Sequence, residues 1–156
     1  MRKPVRETVK NVELEKYLGK WYEIARFPHS FEKDLQGVTA TYSMGDNGKI
    51  MVLNEGYKGS LSGEHKIANG KARVVDAAIP GYLQVSFFLW FYADYYIMEL
   101  DTINYQYSLV GSRSSDYLWI LSRTPQMDEN TFKMLTDKAL NLGYDLSKLQ
   151  MVEQHK

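Results

Sequence analysis

The chain has 156 residues, enough for one domain with a sizeable core. Its 19 Lys and Arg balance its 19 Asp and Glu, so there is no basic footprint for nucleic acid and no electrostatic anchor for a membrane surface. It has no cysteine, which excludes a disulfide framework, a thiolate nucleophile and a thiolate metal site, and no apolar run reaches the length of a membrane-spanning helix.

Met1-Arg2-Lys3-Pro4-Val5-Arg6 is basic without an apolar stretch behind it and does not read as an intact signal peptide. The first strand expected is Trp21 to Phe27. Thr39 to Tyr42 runs into Gly45-Asp46-Asn47-Gly48, which is tight-turn chemistry, and Ile50 to Asn54 is the return strand. Gly56, Gly59 and Gly63 break the next stretch; they lack the spacing and strand-to-helix setting of a phosphate loop and read as turn residues. A longer strand ends at Val75, and Pro80-Gly81 punctuates the chain after it. Leu83 to Phe88, Tyr95 to Leu100, Tyr105 to Gly111 and Tyr117 to Ser122 complete eight strands over residues 20–123. Aromatic residues, 13% of the chain, favour strands and also line apolar pockets. Evenly spaced short strands predict an all-β body, a closed up-and-down barrel or a sandwich.

One helix is predicted over residues 128–142. Asp128 is its N-cap, Phe132, Leu135, Ala139 and Leu142 form one apolar stripe, and Gly143 is the stop. It should pack outside the sheet, giving a single domain over residues 1–156 without repeat or linker.

A catalytic constellation is missing from this pattern. His29, His65 and His155 stand far apart and outside any metal-ligand spacing. A nucleophile elbow is absent, and acidic pairs such as Glu13 and Glu15 read as solvated surface. Neither a catalytic residue, nor a metal, nor a cofactor is expected.

Two segments carry a resemblance. Tyr17-Leu18-Gly19-Lys20-Trp21-Tyr22-Glu23-Ile24-Ala25-Arg26-Phe27 looks like the G-x-W motif that opens the first strand of lipocalins, continuing into Phe31-Glu32 and Gly37-Val38-Thr39-Ala40-Thr41-Tyr42. Asp116-Tyr117-Leu118-Trp119-Ile120-Leu121-Ser122-Arg123-Thr124-Pro125 resembles the last-strand motif of the bacterial, outer-membrane lipoprotein type. The resemblance implies an eight-stranded antiparallel up-and-down β-barrel with one C-terminal α-helix outside, in which Gly19, Trp21 and Arg123 close one end. The chemistry agrees. Gly19 lets the backbone bend, Trp21 is an apolar plug, and Arg123 can lie over the indole and donate to nearby carbonyls. Two features depart from the family. The middle turn, Leu100-Asp101-Thr102-Ile103-Asn104-Tyr105, keeps only the Asp and a later Tyr of a Thr-Asp-Tyr motif, which leaves the facing of the following strand open. The lipid-modified cysteine of many bacterial members is absent here, and with it the thiol of lipocalin prostaglandin synthases.

Alternate residues of a barrel strand point inward. Val38, Ala40 and Tyr42 share a face, as do Ile50, Val52 and Asn54. Leu83, Val85 and Phe87 do likewise, leaving Gln84 and Ser86 for solvent. In the last strand Tyr117, Trp119 and Leu121 share a face, and Leu118 and Ile120 turn to the helix. The expected ligand-binding residues are Val38, Ala40, Tyr42, Val52, Asn54, Val85, Phe87, Tyr92, Tyr95, Tyr117 and Trp119. Leu89-Trp90-Phe91-Tyr92-Ala93-Asp94 is expected as a loop at the open end. Tyr92 would touch ligand there, and Leu89, Trp90 and Phe91 would form a docking patch for a membrane surface or a homodimer. The resemblance implies binding, storage or transport of a small hydrophobic or amphiphilic ligand, such as a fatty acid or a lysophospholipid. It also implies the periplasm or outer membrane, if a leader has been removed. The rival readings are a catalytic lipocalin acting on a lipophilic substrate and an interaction scaffold that leaves its cavity unused.

Overall fold

Turn residues cut the chain into strands that pair in sequence order. The computed structural model describes residues 4–29, 34–88 and 91–155, and all their side chains but those of Asn47, Phe87, Phe88 and Phe91. A short helix α1 (Leu14–Tyr17) precedes β1 (Gly19–Arg26), β2 (Leu35–Met44), β3 (Ile50–Lys58), β4 (His65–Val74), β5 (Tyr82–Phe88), β6 (Phe91–Leu100), β7 (Tyr107–Gly111) and β8 (Leu118–Ser122). Helix α2 (Glu129–Asn141) and a two-residue strand β9 (Gln150–Met151) follow. Each of the first eight strands is antiparallel to the next, and β1 pairs with both β2 and β8, so the sheet closes into a barrel.

Closure needs strands that curl, and the ladders break register where they do. Bulges interrupt β1 between Glu23 and Ala25, β2 between Gln36 and Thr39, and β6 between Ile97 and Glu99. Two apolar layers result. Trp21, Tyr42, Val52, Leu83, Tyr95, Ile97, Val110 and Leu121 pack inside the barrel. Outside, Ile24, Met98, Leu109, Leu118 and Ile120 pack against Leu135 and Ala139 of α2 and against Tyr144. The Asp128 carboxylate caps α2 by accepting from the N–H groups of Asn130 and Thr131, at 3.0 and 3.3 Å. Gly111 is where the helix side comes closest, because a Cβ there would strike the Tyr144 hydroxyl and Met98.

Several boundaries differ from the sequence reading. The expected loop from residue 89 begins with Leu89 and Trp90, which lie outside the described residues, but β6 already starts at Phe91. Tyr92, Ala93 and Asp94 are therefore strand residues. The docking patch at Leu89, Trp90 and Phe91 falls on residues or side chains outside the description. The middle turn is organised by one carboxylate: Asp101 accepts from the N–H groups of Ile103, Asn104 and Gln106. Tyr105 takes a left-handed φ of 53° within it, so the strand expected from Tyr105 starts at Tyr107. Its facing is now fixed, since Val110 lies opposite Ile97 and belongs to the inner layer while Leu109 belongs to the outer one.

Gln84 and Ser86 face outward but are buried, contrary to the solvent exposure expected. The Arg73 guanidinium covers this patch, donating twice to Gln84 Oε1 and lying 3.8 Å from the Tyr92 ring centroid. Beside it the buried Asp94 carboxylate accepts from the Tyr82 and Tyr96 hydroxyls, Gln84 Nε2 and Arg113 Nε at 3.0–3.1 Å. Burial pushes this carboxyl up, but the hydrogen bonds from Gln84, Tyr82, Tyr96 and Arg113 outweigh it and hold Asp94 below its usual value. A depressed carboxyl contributes stability that is present above its unfolded pKa of about 3.9 and lost as pH falls through the folded value. Asp94→Asn should therefore cost about 1–3 kcal/mol at neutral pH. It should also flatten the acid limb of stability against pH, followed by urea unfolding from pH 6 down to roughly pH 2. A variant with the parent's acid limb would show that the network does not hold the charge.

Candidate ligand site in the barrel

The closed end is built by one arginine. Arg123 follows β8 and lies over the Trp21 indole, 3.8 Å from the ring centroid. Its Nε donates to the Tyr105 carbonyl, Nη1 to Lys20, and Nη2 to Lys16, Tyr17 and Leu18, at 2.7–3.1 Å. These carbonyls include the last ones of α1, where a helix leaves acceptors without intrahelical partners. Gly19 is held at φ 105°, and a Cβ there would press on Arg123 Nη1 at 3.3 Å. Trp21 is fully buried, and its Nε1 donates to the Tyr17 carbonyl at 2.8 Å.

A layer of hydroxyls lies above the indole. Tyr17 Oη is 2.7 Å from Tyr95 Oη and 3.1 Å from Ser108 Oγ, and the Tyr42 hydroxyl donates to Tyr95 at 3.1 Å. Burial pushes the Tyr17 hydroxyl up to about 12, with the bonds to Ser108 and Tyr95 pulling the other way. Burial likewise raises Tyr95, reinforced by Tyr17 and Tyr42. The layer is neutral and uses its polar atoms on itself. Tyr17, on α1 and outside the alternating strands, had no sequence signal as a lumen residue.

Higher up, register fixes which side chains face inward, because residues directly opposite in a ladder share a face. Trp21 lies opposite Ala40, Ala40 opposite Asn54, and Asn54 opposite Ala68. Val38, Tyr42 and Val52 follow on the same face by alternation. Val85 lies opposite Ala72 and Ala93, and Tyr95 opposite Leu83. Trp119 lies opposite Val110 and joins the inner layer. Tyr117, just before β8, stacks on Trp119 at 5.9 Å between centroids, and His29 sets its edge against both rings at 5.5 and 5.4 Å. The Phe87 side chain lies outside the description. Tyr92 does not join the set: two residues from Asp94 on the outward face of β6, it stacks under Arg73 outside the barrel.

Accessibility separates the two halves of this interior. Trp21, Ile97 and Val110 have no accessible surface, whereas the inward-facing Ala40, Asn54, Val85, Ala93 and Trp119 are only half-buried. The upper inward-facing residues thus keep accessible surface that the floor does not. One side of this upper lumen is small (Ala40, Ala68, Gly70) and another is aromatic (Tyr117, Trp119).

A buried charge pair also faces inward, which alternation alone does not reveal. Glu23 lies opposite Leu121 and Arg26 opposite Trp119, so both side chains point inward. They are 5% and 4% exposed, with Arg26 Nη1 3.2 Å from Glu23 Oε1 and Nη2 donating to the Leu35 carbonyl at 2.9 Å. Glu23 was legible as two residues past Trp21. Arg26 faces inward because of the bulge at Ile24–Ala25, which nothing in the sequence marks.

Two outcomes test the floor. Arg123→Ala should destabilise the fold by about 1–3 kcal/mol in urea, and Arg123→Lys should recover little of it, since an ammonium lacks the planar fork. The raised Tyr17 hydroxyl contributes stability that is intact below about pH 10 and lost as pH rises through its folded value. Tyr17→Phe should thus lose less stability than the parent between pH 10 and about 12, and equal losses would remove Tyr17 from the alkaline transition.

The comparisons with known proteins agree with this geometry. The profile of the lipocalin-like domain matches residues 12–154. The outer membrane lipoprotein Blc of Vibrio cholerae is 45% identical over 146 residues, covering 94% of this chain and 85% of that protein. The protein of the same name from Escherichia coli K12 is 43% identical over 146 residues, covering 94% and 81%. Among solved structures, the cockroach allergen Per a 4 superposes with a TM-score of 0.74 over 97% of this chain and 95% of that one. At 22% identity it is a likeness of fold alone.

Proposed function

The chain belongs to the lipocalin family, and on that premise we propose that it binds, stores or transports one small hydrophobic or amphiphilic molecule, a fatty acid or a lysophospholipid, inside the barrel. The observation that carries this reading is an upper lumen whose inward-facing residues keep accessible surface above a sealed floor. An acyl chain entering it is stabilised by ~0.8 kcal/mol per buried methylene, so a chain of about ten methylenes outweighs much of the ordering cost of binding. The head group stays toward the open end, where Asn54 and the Trp119 indole offer polar atoms. The reading is of a binding protein, not an enzyme, and the family supports it. If the chain is secreted, the names of the bacterial relatives support a place in the periplasm or at the outer membrane.

Mass spectrometry of an organic extract of the purified protein should find a co-purified amphiphile. Trp119→Ala should weaken the Kd of a fluorescent fatty acid by about ten-fold, the effect of losing most of one aromatic contact, with the folded fraction unchanged by circular dichroism. Unchanged affinity would place the ligand outside the lumen.

A further inference from the structure

Most of the barrel wall consists of strands bonded directly to their neighbours, but the seam between β1 and β2 is different. Their ladder covers Gly19–Tyr22 against Thr39–Tyr42 and stops there. Above it the C-terminal tail stands between them. On one side β9 pairs with Ala25 and Arg26, and the Val152 N–H donates to the Ile24 carbonyl at 2.9 Å. On the other side the Gly37 N–H donates to the Glu153 carbonyl at 2.7 Å, and the Glu153 N–H donates to Gln36 Oε1 at 2.8 Å. The Gln154 side chain bridges the gap, its Nε2 donating to the Glu23 carbonyl at 2.7 Å and the Val38 carbonyl at 2.8 Å. On the lumen side of this seam lies the Glu23–Arg26 pair.

The tail is held mainly by these hydrogen bonds, with the buried Val152 side chain and the His155 ring, set edge-on against Tyr57 at 5.1 Å between centroids, as its packing contacts. Val152 and Gln154 are buried, but neither belongs to the two apolar layers, and Met151 is 62% exposed. Segments with few buried apolar contacts open at low free-energy cost. Outside the same seam is a cleft of about 370 Å³, lined by Lys20 and Tyr22 of β1, Thr39 of β2, Tyr57 of β3, and Gln154 and His155 of the tail. The Lys20 ammonium lies 5.1 Å from the Tyr22 ring centroid, and Glu55 adds the opposite charge. The cleft is thus polar and aromatic where the lumen behind the seam is largely apolar.

We propose that residues 150–155 are a releasable side panel of the barrel, and that the cleft is a vestibule where the polar head of an amphiphile rests while its chain passes through the β1–β2 seam. Release frees the Glu23 and Val38 carbonyls and the edge of β1 and admits water to the ion pair. The panel rests on the lumen-binding reading above, and one experiment separates the two. The chain has no cysteine, so Gln36→Cys with Glu153→Cys creates a single disulfide that locks the panel, its formation checked by mass.

Uptake and release of dansylaminoundecanoic acid are followed by stopped-flow fluorescence. The oxidised protein should exchange the probe about ten-fold more slowly than the same protein reduced, with Kd unchanged, because a gate slows both directions alike. Gln154→Ala, which removes only the bridging amide, should speed both rates. Equal rates in the oxidised and reduced forms, with affinity intact, overturn the side gate and leave the lumen reading standing. No saturable uptake by the unmodified protein overturns both.

Discussion

A barrel that ends in a helix turn and several strand termini gathers carbonyl oxygens at one point, and each needs a donor. Here one guanidinium meets five of them, drawn from α1, from the start of β1 and from the turn before β7. A planar cation with donors on three nitrogens is suited to that task, and its face remains available for the Trp21 indole. The contact ties three parts of the chain that are distant in sequence. It also fixes the height at which Trp21 plugs the barrel, and so the level above which the interior can be hollow. The tyrosine layer extends the seal. Because Tyr17, Tyr42, Tyr95 and Ser108 spend their hydroxyls on one another, little hydrogen-bonding capacity is left at the floor.

Most of this was legible in the sequence, because most of it follows from period-two alternation and turn chemistry. The inward faces of the second, third and last strands are where alternation places Val38, Ala40, Tyr42, Val52, Asn54 and Trp119, and Leu118 and Ile120 do turn to α2. What alternation misses is whatever interrupts it. The Ile24–Ala25 bulge turns Arg26 inward, and β6 begins four residues before Tyr95, which puts Tyr92 on the outer wall. Alternation alone puts Gln84 and Ser86 in solvent, since a lone strand does not reveal that Arg73 and Tyr92 lie across it. β9 has no signature, for two residues are too few to show a period.

The outer surface divides into two regimes. Over β7, β8, part of β1 and the Met98 end of β6 it is apolar, and α2 and Tyr144 cover it. Over β5 and the first half of β6 it is polar and closed by its own side chains, with Asp94 at the centre and Arg73 and Arg113 above. The N-terminal segment borders both: the Val5 N–H donates to the Tyr96 hydroxyl, and the Arg6 guanidinium lies 4.5 Å from the Tyr144 ring centroid. Tyr96 is therefore shared between the Asp94 network and the apolar layer under α2.

The position of the charge pair follows from the same economy. Burying a carboxylate and a guanidinium costs several kcal/mol each unless they pair and their remaining atoms are met. Near the floor, Arg123 already takes five carbonyls, and the Tyr17, Tyr42, Tyr95 and Ser108 hydroxyls bond one another. Beside the seam the bulge and the parting of β1 from β2 leave backbone groups to bond, and Arg26 takes the Leu35 carbonyl there. The interruption that admits the tail is thus also what lets charge stand inside the barrel. Charge above and apolar surface below favour an amphiphile held tail first, with its head at the level where the wall is least continuous.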